Sequence, residues 1–304
     1  MFISFIVSLV LSSFLTTTTV DITPGFSQEN SIEEIYAMIP EKNPESNSLG
    51  VKITAKSAVV VDSKTGAVLF EKNKEEVRSI ASITKLMSAL VFLDNNPGWE
   101  KTTVMQASDE RSGGFFHVFR DEEISIKDLY NVGLVASDNN AIIALSRVSG
   151  LSEEEFVEEM NRKALVLGLS NTKFVDPTGL APENVSTAME IAKMLNYALS
   201  KKEIRDVLLL PEYDFIVVNN LRKVNVKNTD ILLDSYLNDK SLGYKIIGGK
   251  TGYLDEAGFC LTMAVSKDSR EVIGVVLGSD TIDLRFQELK GIVTWVFDNY
   301  IWKN

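Results

Sequence analysis

Two residues that could carry out nucleophilic chemistry together, Ser82 and Lys85, lie three positions apart in the run IASITKLM at residues 80–87. The apolar residues that follow the serine have helical spacing, so both polar side chains are expected on one side of a helix. A lysine accepts a serine proton only when its amine is neutral, and burial or a neighbouring cation lowers a lysine pKa in that way. The pattern alone is weak support, because Ser170 and Lys173 have the same spacing in an apparent loop.

Two other short motifs supply groups that such a site needs. The run SDN at residues 137–139 places a hydroxyl and an amide at the end of a helical pattern, although Asn139 could simply be the N-cap of a helix that begins at Ala141. The run KTG at residues 250–252 follows a strand pattern with further glycines, which allow close backbone approach to a ligand. A lysine with a hydroxyl can hold a carboxylate. A charged edge strand is the alternative interpretation of this run.

Composition excludes several functional classes. The 304 residues are 45% hydrophobic and 24% charged, which is typical of a globular protein, and the net charge is −11. This negative field opposes binding to nucleic acid or to anionic lipid. Since Cys260 and His117 are the only cysteine and histidine, we expect no metal centre and no cofactor. A phosphate-binding loop that ends at Lys250 and Thr251 would need a glycine where the chain has Tyr244.

The three motifs occur together, in the order S-x-x-K, S-x-N and K-T-G. The runs ASITKLM, ASDNNA, FVDPTGL and GGKTGYLDEAGFCL contain or accompany them. On these residues the chain resembles the D-alanyl-D-alanine carboxypeptidases among the low-molecular-mass penicillin-binding proteins, over about residues 51–302. The combination is far more specific than any one of its motifs.

The resemblance implies a role for each matching residue of the catalytic group. Ser82 matches the nucleophile that becomes acylated, and Lys85 matches its general base. Ser137 matches a group that relays a proton to the leaving amine, beside Lys250. Asn139 matches the residue that binds the peptide backbone of the substrate and orients Lys85.

The resemblance also implies a set of substrate-binding groups. Thr251 matches the hydroxyl that holds the terminal carboxylate, Gly252 lies in the strand that approaches the ligand, and Arg285 matches an arginine that shares the carboxylate. From the residues alone, Arg285 would be interpreted as a solvated helix residue. The backbone N–H groups of Ser82 and Tyr253 would form an oxyanion hole, in which each donor contributes about 3 kcal/mol.

The implied reaction is acyl transfer in two steps. Ser82 attacks the amide between the two terminal D-alanines of a peptidoglycan stem peptide, D-alanine leaves, and water hydrolyses the acyl-enzyme. Penicillins would mimic the substrate and acylate the same serine. The expected partners are therefore stem peptides and β-lactams.

Three alternatives remain open. A DD-endopeptidase would cut peptidoglycan crosslinks through the same residues, and the sequence does not separate it from a carboxypeptidase. A class A β-lactamase needs a glutamate in an E-x-x-L-N element, whereas residues 174–180 read FVDPTGL, so slow release of penicillin is expected. A peptidoglycan-binding pseudoenzyme would have no need of the complete set of motifs.

Strand patterns lie towards both ends of the chain, and helical patterns dominate between about residues 124 and 203. The predicted strands are at residues 57–62, 67–71, 214–218, 244–248, 258–265 and 271–277, and the predicted helices include 126–145, 186–199 and 284–301. With the resemblance, this order predicts an α+β fold of the β-lactamase/transpeptidase-like type. Its antiparallel sheet would be built from both ends of the chain, with flanking helices and an inserted helical subdomain.

Three segments are expected along the chain. Residues 1–20 carry no charge and are long enough for a bilayer, which indicates a signal sequence or an N-terminal membrane anchor. Residues 21–50 are rich in Pro, Asn, Ser and Glu and are predicted to be a linker. Residues 51–304 would form the catalytic domain. The protein is thus expected outside the cytoplasm, with membrane contact only through residues 1–20 if these are not cleaved.

Overall fold

The computed structural model describes residues 38–114 and 116–303. The predicted targeting segment, residues 1–20, and the first part of the predicted linker lie outside the described residues. Among the helices that are described, none combines the length and the apolar character that a membrane span requires.

The described strands are numbered in chain order. They are β1 (Glu41–Lys42), β2 (Ser57–Asp62), β3 (Val68–Lys72), β4 (Arg78–Ser79), β5 (Thr102–Val104), β6 (Glu123–Ser125), β7 (Val185–Ser186), β8 (Glu212–Ile216), β9 (Lys223–Lys227), β10 (Tyr244–Leu254), β11 (Gly258–Lys267), β12 (Arg270–Ser279) and β13 (Tyr300–Ile301).

The α-helices are numbered in the same way. They are α1 (Lys85–Asp94), α2 (Ile126–Val135), α3 (Asn139–Val148), α4 (Glu153–Val166), α5 (Ala188–Ser200), α6 (Lys202–Leu208) and α7 (Ile282–Asn299). Short 3-10 helices are at Ala81–Thr84, Ala107–Asp109, Ile231–Asp234, Tyr236–Asn238 and Lys240–Leu242.

The main sheet joins the two ends of the described chain. Its five strands lie in the order β10-β11-β12-β2-β3, and every neighbouring pair is antiparallel. Strand β2 pairs with β12, with Val59 opposite Val275, although the whole helical region separates these strands in the sequence. The prediction of an antiparallel sheet built from both chain ends is therefore confirmed.

Both faces of this sheet are covered by apolar side chains. Along β2, Val59 and Val61 belong to the core shared with the helical region, whereas Ala58 and Val60 belong to a second core that contains residues of α7. All residues of β2 are buried. Because neither face meets water, residues 58–61 of the strand form the continuous apolar run AVVV and show no polar alternation.

Helix α1, which begins at Lys85, lies inside the larger core. The sequence predicts one apolar face opposite Ser82 and Lys85, but the helix is buried over all of its first eight residues, and Lys85 has no exposed surface. A helix that is surrounded on all sides belongs to the interior of a protein. The predicted one-sided amphipathic helix is wrong at this point, and the lysine is far more deeply buried than its pattern indicates.

The helical pattern at residues 126–145 is divided into two helices by the SDN run. Ser137 has a φ of 59°, and Asp138 is the N-cap of α3, since its Oδ1 accepts the backbone N–H of Ala141 at 3.0 Å. Asn139 is the first residue of that helix. The alternative interpretation, with Asn139 as the cap, is therefore wrong by one residue, and the amide side chain of Asn139 is free to bind elsewhere.

Five of the six predicted strands differ from the structure in their bounds, since β3 (Val68–Lys72), β11 (Gly258–Lys267) and β12 (Arg270–Ser279) are also shifted or longer by one to three residues. Strand β10 does not end at residue 248 but continues to Leu254, because it stays paired with β11 as far as Gly258. Cross-strand pairing overrides the weak strand preference of its glycines. The predicted strand at 214–218 lies at Glu212–Ile216 and pairs with β9, in a separate two-stranded sheet.

The described part of the predicted linker contacts the other end of the chain. Strand β1 pairs with β13, with Glu41 opposite Ile301. The indole Nε1 of Trp295, in α7, donates a hydrogen bond of 2.6 Å to Ser48 Oγ. Residues 41–48 thus lie against the end of the last helix.

Candidate active site

Ser82 lies in the 3-10 turn Ala81–Thr84 that leads into α1. The residue before it, Ala81, has a φ of 46°, in the left-handed region that costs an L-residue about 1 kcal/mol. Ala81 is fully buried, and Gly179 lies so close that a Cβ there would be 2.0 Å from the Ala81 carbonyl oxygen. The turn that presents Ser82 is therefore a strained segment held in place by its neighbours.

The Lys85 amine lies among three oxygen atoms. Its Nζ is 2.8 Å from Ser82 Oγ, 2.7 Å from Asn139 Oδ1 and 2.6 Å from the Thr178 carbonyl oxygen. The amide oxygen and the carbonyl oxygen can only accept, so each takes one N–H of the amine. A neutral amine has two N–H groups and one lone pair. In the neutral state the lone pair therefore remains for the Ser82 hydroxyl.

The surroundings of Lys85 favour that neutral state. Burial lowers the pKa of Lys85 to about 7, and the negative charges of Asp176 and Asp138 oppose this shift. A large fraction of the amine is therefore neutral near pH 7, as a general base at this pH requires.

Asn139 connects the Lys85 amine to a neighbouring loop. While its Oδ1 accepts from Lys85, its Nδ2 donates to the Gly113 carbonyl at 2.9 Å. The adjacent Asp138 accepts the His117 backbone N–H at 2.8 Å, and its Oδ2 lies 3.1 Å from His117 Nδ1. The single histidine of the chain thus packs against the turn and not against Ser82.

Lys250 lies at the opposite side of the SDN turn. Its Nζ donates to Ser137 Oγ at 2.9 Å and to the Thr251 carbonyl at 3.1 Å. Burial lowers the pKa of Lys250 well below its usual value, and the charges of Lys85 and Arg285 lower it further. The left-handed turn at Ser137 therefore directs its hydroxyl to a second buried lysine.

Strand β10 lies directly against the Ser82 turn. A Cβ on Gly252 would be 2.8 Å from the Ile80 carbonyl oxygen and 3.2 Å from the Ser82 backbone nitrogen, so only glycine allows this approach. The Thr251 hydroxyl is hydrogen-bonded to the Thr229 hydroxyl at 2.6 Å. Beyond them, Tyr253 has a half-exposed side chain, so any oxyanion contact would come from its backbone.

Arg285 points from α7 to the same strand. Its guanidinium Nη1 donates to the Gly252 carbonyl at 3.1 Å, and the residue is only 6% exposed. The interpretation of Arg285 as a solvated helix residue is therefore wrong. Burial lowers the pKa of Arg285, against the influence of Cys260 and Asp230, yet the group stays charged at every physiological pH.

All the predicted site residues thus meet where four parts of the fold come together. The Ser82 turn and α1 supply the serine and its lysine, and the turn between α2 and α3 supplies the hydroxyl and the amide. Strand β10 supplies the KTG run and Tyr253, and α7 supplies Arg285. The second S-x-x-K pattern has a different environment, since Ser170 Oγ contacts Glu190 at 3.4 Å and the Lys173 backbone pairs with Val185. The two S-x-x-K patterns have the same spacing in the sequence, and only their tertiary surroundings distinguish the candidate site from the other pattern.

Sequence reasoning missed two contributors to the site, the Thr178 carbonyl and the Thr229 hydroxyl. The run FVDPTGL gave a signal for the first, because its Asp, Pro and Gly predict a fixed turn. We find no comparable signal for Thr229. Within the described residues, no group of three or more His, Cys, Asp or Glu side chains is arranged to hold a metal ion.

A family model described as D-alanyl-D-alanine carboxypeptidase matches residues 41–281. The chain belongs to this family. One relative of this chain is D-alanyl-D-alanine carboxypeptidase DacF of Bacillus subtilis. It is 34% identical to this chain over 252 residues, which are 81% of this chain and 63% of the relative. The D-alanyl-D-alanine endopeptidase of Escherichia coli K12 is 33% identical over 247 residues, 81% of this chain and 78% of the relative. The chain thus spans less than two thirds of the Bacillus protein.

Solved structures of a DD-transpeptidase and of a penicillin-binding protein have the same fold. The Streptomyces K15 DD-transpeptidase superimposes with a TM-score of 0.74 at 26% identity, covering 83% of this chain and 100% of that one. Penicillin-binding protein D2 of Listeria monocytogenes, in its cefotaxime-bound form, gives a TM-score of 0.69 at 29% identity and covers 82% of this chain and 100% of that one. The family resemblance and the transpeptidase-like fold predicted from the sequence are therefore confirmed.

Proposed function

We propose that the chain is a serine D-Ala-D-Ala carboxypeptidase, which removes the terminal D-alanine from peptidoglycan stem peptides through an acyl-enzyme on Ser82. The observation that carries this proposal is the position of Lys85 Nζ, 2.8 Å from Ser82 Oγ, with both N–H groups of the neutral amine taken by Asn139 and Thr178. An amine held in this way can do one thing for the serine, which is to accept its proton.

Acylation begins when Ser82 Oγ attacks the carbonyl carbon between the two D-alanines and its proton passes to Lys85. The negative charge that develops on the carbonyl oxygen would be met by the backbone N–H groups of Ser82 and Tyr253. The close approach of Gly252 to the Ser82 nitrogen supports this arrangement, because it brings β10 and the serine turn to the same point.

The leaving D-alanine needs a proton on its amine nitrogen as the C–N bond breaks. Ser137 Oγ, 2.9 Å from Lys250 Nζ, is placed to pass a proton from that lysine to the nitrogen. A buried ammonium with a lowered pKa gives up a proton readily, which suits Lys250 to this step. Water then hydrolyses the ester on Ser82 and releases the shortened peptide.

The terminal carboxylate of the substrate is assigned to Thr251, Lys250 and Arg285. The Arg285 guanidinium, the Lys250 amine and the Thr251 hydroxyl form a buried anion site at the end of the ligand, and water is largely excluded from it. A requirement for a free carboxylate explains why such an enzyme would act on the last residue of a peptide. Penicillins carry a carboxylate and a strained amide, and they would enter the same site and acylate Ser82.

Rapid release of penicillin is not expected. In the loop FVDPTGL, the carboxylate of Asp176 accepts backbone N–H groups of Thr178, Gly179 and Ala181, so it serves the loop and is not available to activate water. A β-lactamase would need such a base. We therefore assign penicillin the role of a slowly released inhibitor.

Intact-mass spectrometry of the full chain after exposure to benzylpenicillin tests the proposal, with Ser82→Ala as the control. A stable adduct on the wild-type protein alone, together with release of D-alanine from a stem pentapeptide, is the expected result. Loss of the drug without an adduct would favour a β-lactamase, and an unreactive protein with an intact fold would favour a peptidoglycan-binding pseudoenzyme.

A DD-endopeptidase is the second candidate. The observation that favours it is the name of two relatives, because proteins of Haemophilus influenzae and Escherichia coli K12 that are 34% and 33% identical to this chain are named D-alanyl-D-alanine endopeptidase. Digestion of two purified muropeptides separates the candidates. Release of D-alanine from a monomeric pentapeptide indicates a carboxypeptidase, and conversion of a crosslinked dimer to monomers indicates an endopeptidase.

The substrate also sets the location that we propose, which is outside the cytoplasm, at the cell wall. Residues 1–20 would direct export as a signal sequence or hold the protein at the membrane, residues 21–50 would be the linker, and residues 51–304 the catalytic domain. Cell fractionation, with N-terminal sequencing of the mature protein, tests each of these assignments.

A further inference from the structure

A buried carboxyl group lies behind the proposed carboxylate site, and the mechanism above does not use it. Asp230 is 2% exposed, and its Oδ1 accepts the backbone N–H of Leu232 at 3.0 Å. Its Oδ2 is buried and has no hydrogen-bond partner among the described residues. A buried carboxylate oxygen without a partner is costly, and in a folded protein it calls for an explanation.

This group is packed against the strand that binds the substrate. A Cβ on Gly249 would lie 2.8 Å from Asp230 Oδ2, so the absence of a side chain at position 249 gives that oxygen its space. Thr229, the residue before Asp230, is hydrogen-bonded through its hydroxyl to the Thr251 hydroxyl at 2.6 Å. Asp230 thus contacts the position before Lys250 and directly follows the residue that holds Thr251.

The charged groups around Asp230 are the same cations that the substrate carboxylate would use. Burial raises the pKa of Asp230 to about 6, while the Leu232 N–H and the charges of Arg285 in α7 and Lys250 in β10 oppose this shift. On β11, the thiol of Cys260 lies in the field of Arg285, and burial raises its pKa to about 11, so it stays neutral. The Arg285 guanidinium and the Lys250 amine therefore face one internal carboxyl group before any ligand binds.

We propose that Asp230 is a positioning residue that sets how tightly the site holds a ligand carboxylate, and that it takes up a proton when such a ligand binds. The proposal rests on the function given above, since it takes the ligand to be the free carboxylate of a D-Ala-D-Ala peptide or of a penicillin. The ligand brings a second negative charge to Lys250 and Arg285. When two carboxylates share one site, the pKa of one of them rises.

Binding and protonation are then coupled. A ligand that raises the pKa of Asp230 binds more tightly to the protonated form, so ionised Asp230 weakens binding at alkaline pH. The variant Asp230→Asn cannot ionise. We expect it to bind a carboxylate ligand about tenfold more tightly than the unchanged protein at pH 8, for a ligand-induced shift of about one unit in the Asp230 pKa. Near pH 5, where Asp230 is protonated, the two affinities should be equal.

Calorimetric titration of the full chain tests this, with Ser82→Ala in every sample so that no acylation occurs. The ligands are diacetyl-L-Lys-D-Ala-D-Ala and benzylpenicillin, and buffers of different ionisation enthalpy count the protons taken up. Lys85 and Lys250 also titrate in this range. The diagnostic quantities are therefore the differences in affinity and in proton uptake between samples with and without Asp230→Asn. Asp234→Asn is the matched control, since it removes the same charge from an exposed residue of the same 3-10 segment. Asp230→Ser provides a second uncharged side chain.

The proposal would be supported if both uncharged variants, compared with the protein that keeps Asp230, bind the ligands more tightly at pH 8 and equally at pH 5. Both variants should also take up fewer protons on binding. Equal affinities at pH 8, or the same gain in Asp234→Asn, would overturn it. Weaker binding at every pH with a lower melting temperature would also overturn it, because Asp230 would then be purely structural. Failure of the proposed function is distinguishable, since a chain with Ser82 intact would then neither form a penicillin adduct nor release D-alanine, whatever stands at position 230.

Discussion

Lys85 and Thr178 are joined by a hydrogen bond of 2.6 Å between an amine and a backbone carbonyl, although they are 93 positions apart. The Thr178 carbonyl belongs to a loop that Asp176 organises. The Oδ1 atom of Asp176 accepts the backbone N–H groups of Thr178 at 2.6 Å and Gly179 at 2.9 Å. An irregular loop therefore orients the proposed general base.

The rate of acylation should rise with pH through about 7. Lys85 must be neutral to accept the Ser82 proton, and burial lowers the pKa of Lys85 to about 7, so the competent fraction grows as pH increases through that value. The measurement is the second-order rate of penicillin adduct formation between pH 5 and pH 9. A rate that is constant over this range would contradict the role of Lys85 as the base.

Asn139→Asp should shift this pH dependence to higher pH. The substitution places a negative charge on the atom 2.7 Å from Lys85 Nζ, which stabilises the ammonium and raises the pKa of Lys85. We expect the midpoint to rise by about one unit and the rate at pH 7 to fall about fivefold. Asn140→Asp is the control, because its buried side chain accepts the Arg111 backbone N–H and does not contact Lys85. An unchanged midpoint in Asn139→Asp would argue against the assigned contact.

Gly179→Ala should destabilise the protein and abolish acylation together. A Cβ at this position would be 2.0 Å from the Ala81 carbonyl oxygen, so the loop and the Ser82 turn would be forced apart. Gly168→Ala is matched to it, since Gly168 has a φ of +70° against +84° for Gly179 but has no atom within 4 Å of its added Cβ. In both variants an alanine has to adopt left-handed backbone angles, which lowers the free energy of unfolding by about 1 kcal/mol.

The difference between these two variants reports the clash alone. We expect the melting temperature of Gly179→Ala to be about 5 °C or more below that of Gly168→Ala, and penicillin acylation to be retained only in Gly168→Ala. Equal stability of the two would show that the loop moves aside at no cost.

Thr229→Val should weaken substrate binding with little change in fold. It removes the hydroxyl that is 2.6 Å from Thr251 Oγ1, so the hydroxyl assigned to the ligand carboxylate loses its orienting partner. A loss of about 1 kcal/mol corresponds to a fall of about fivefold in kcat/KM for the pentapeptide. Thr229→Ser keeps the hydroxyl and should retain most of the activity. Equal values for the valine and serine variants would exclude the positioning role.

Much of this fold could be predicted because its strongest patterns are local. The run SAVVVD predicts a buried strand, and the structure has β2 at those residues. The helical spacing after residue 284 predicts a last helix, which is present as α7. In both segments the apolar pattern agrees with the burial that the finished protein imposes, so local and tertiary preferences point the same way.

The remaining differences arise where distant contacts decide the outcome. Strand β10 continues through Gly252 because β11 pairs with it, and glycine has no strand preference of its own that could reveal this. Asp138 and Asn139 are both good N-caps, and only the fold assigns the cap to one and the Lys85 contact to the other. Thr229 could not be singled out, because its importance comes from one hydroxyl contact with a strand that follows later in the chain.

The pairing of β2 with β12 places a constraint on how the protein is made. As the chain emerges from the ribosome, the hairpin of β2 and β3 is complete long before the residues of β12 exist, and β2 must keep an unpaired edge in the meantime. An open apolar edge is a template for aggregation. The sheet can therefore close only when β12 is available, and until then the free edge of β2 has to be kept from pairing with other chains.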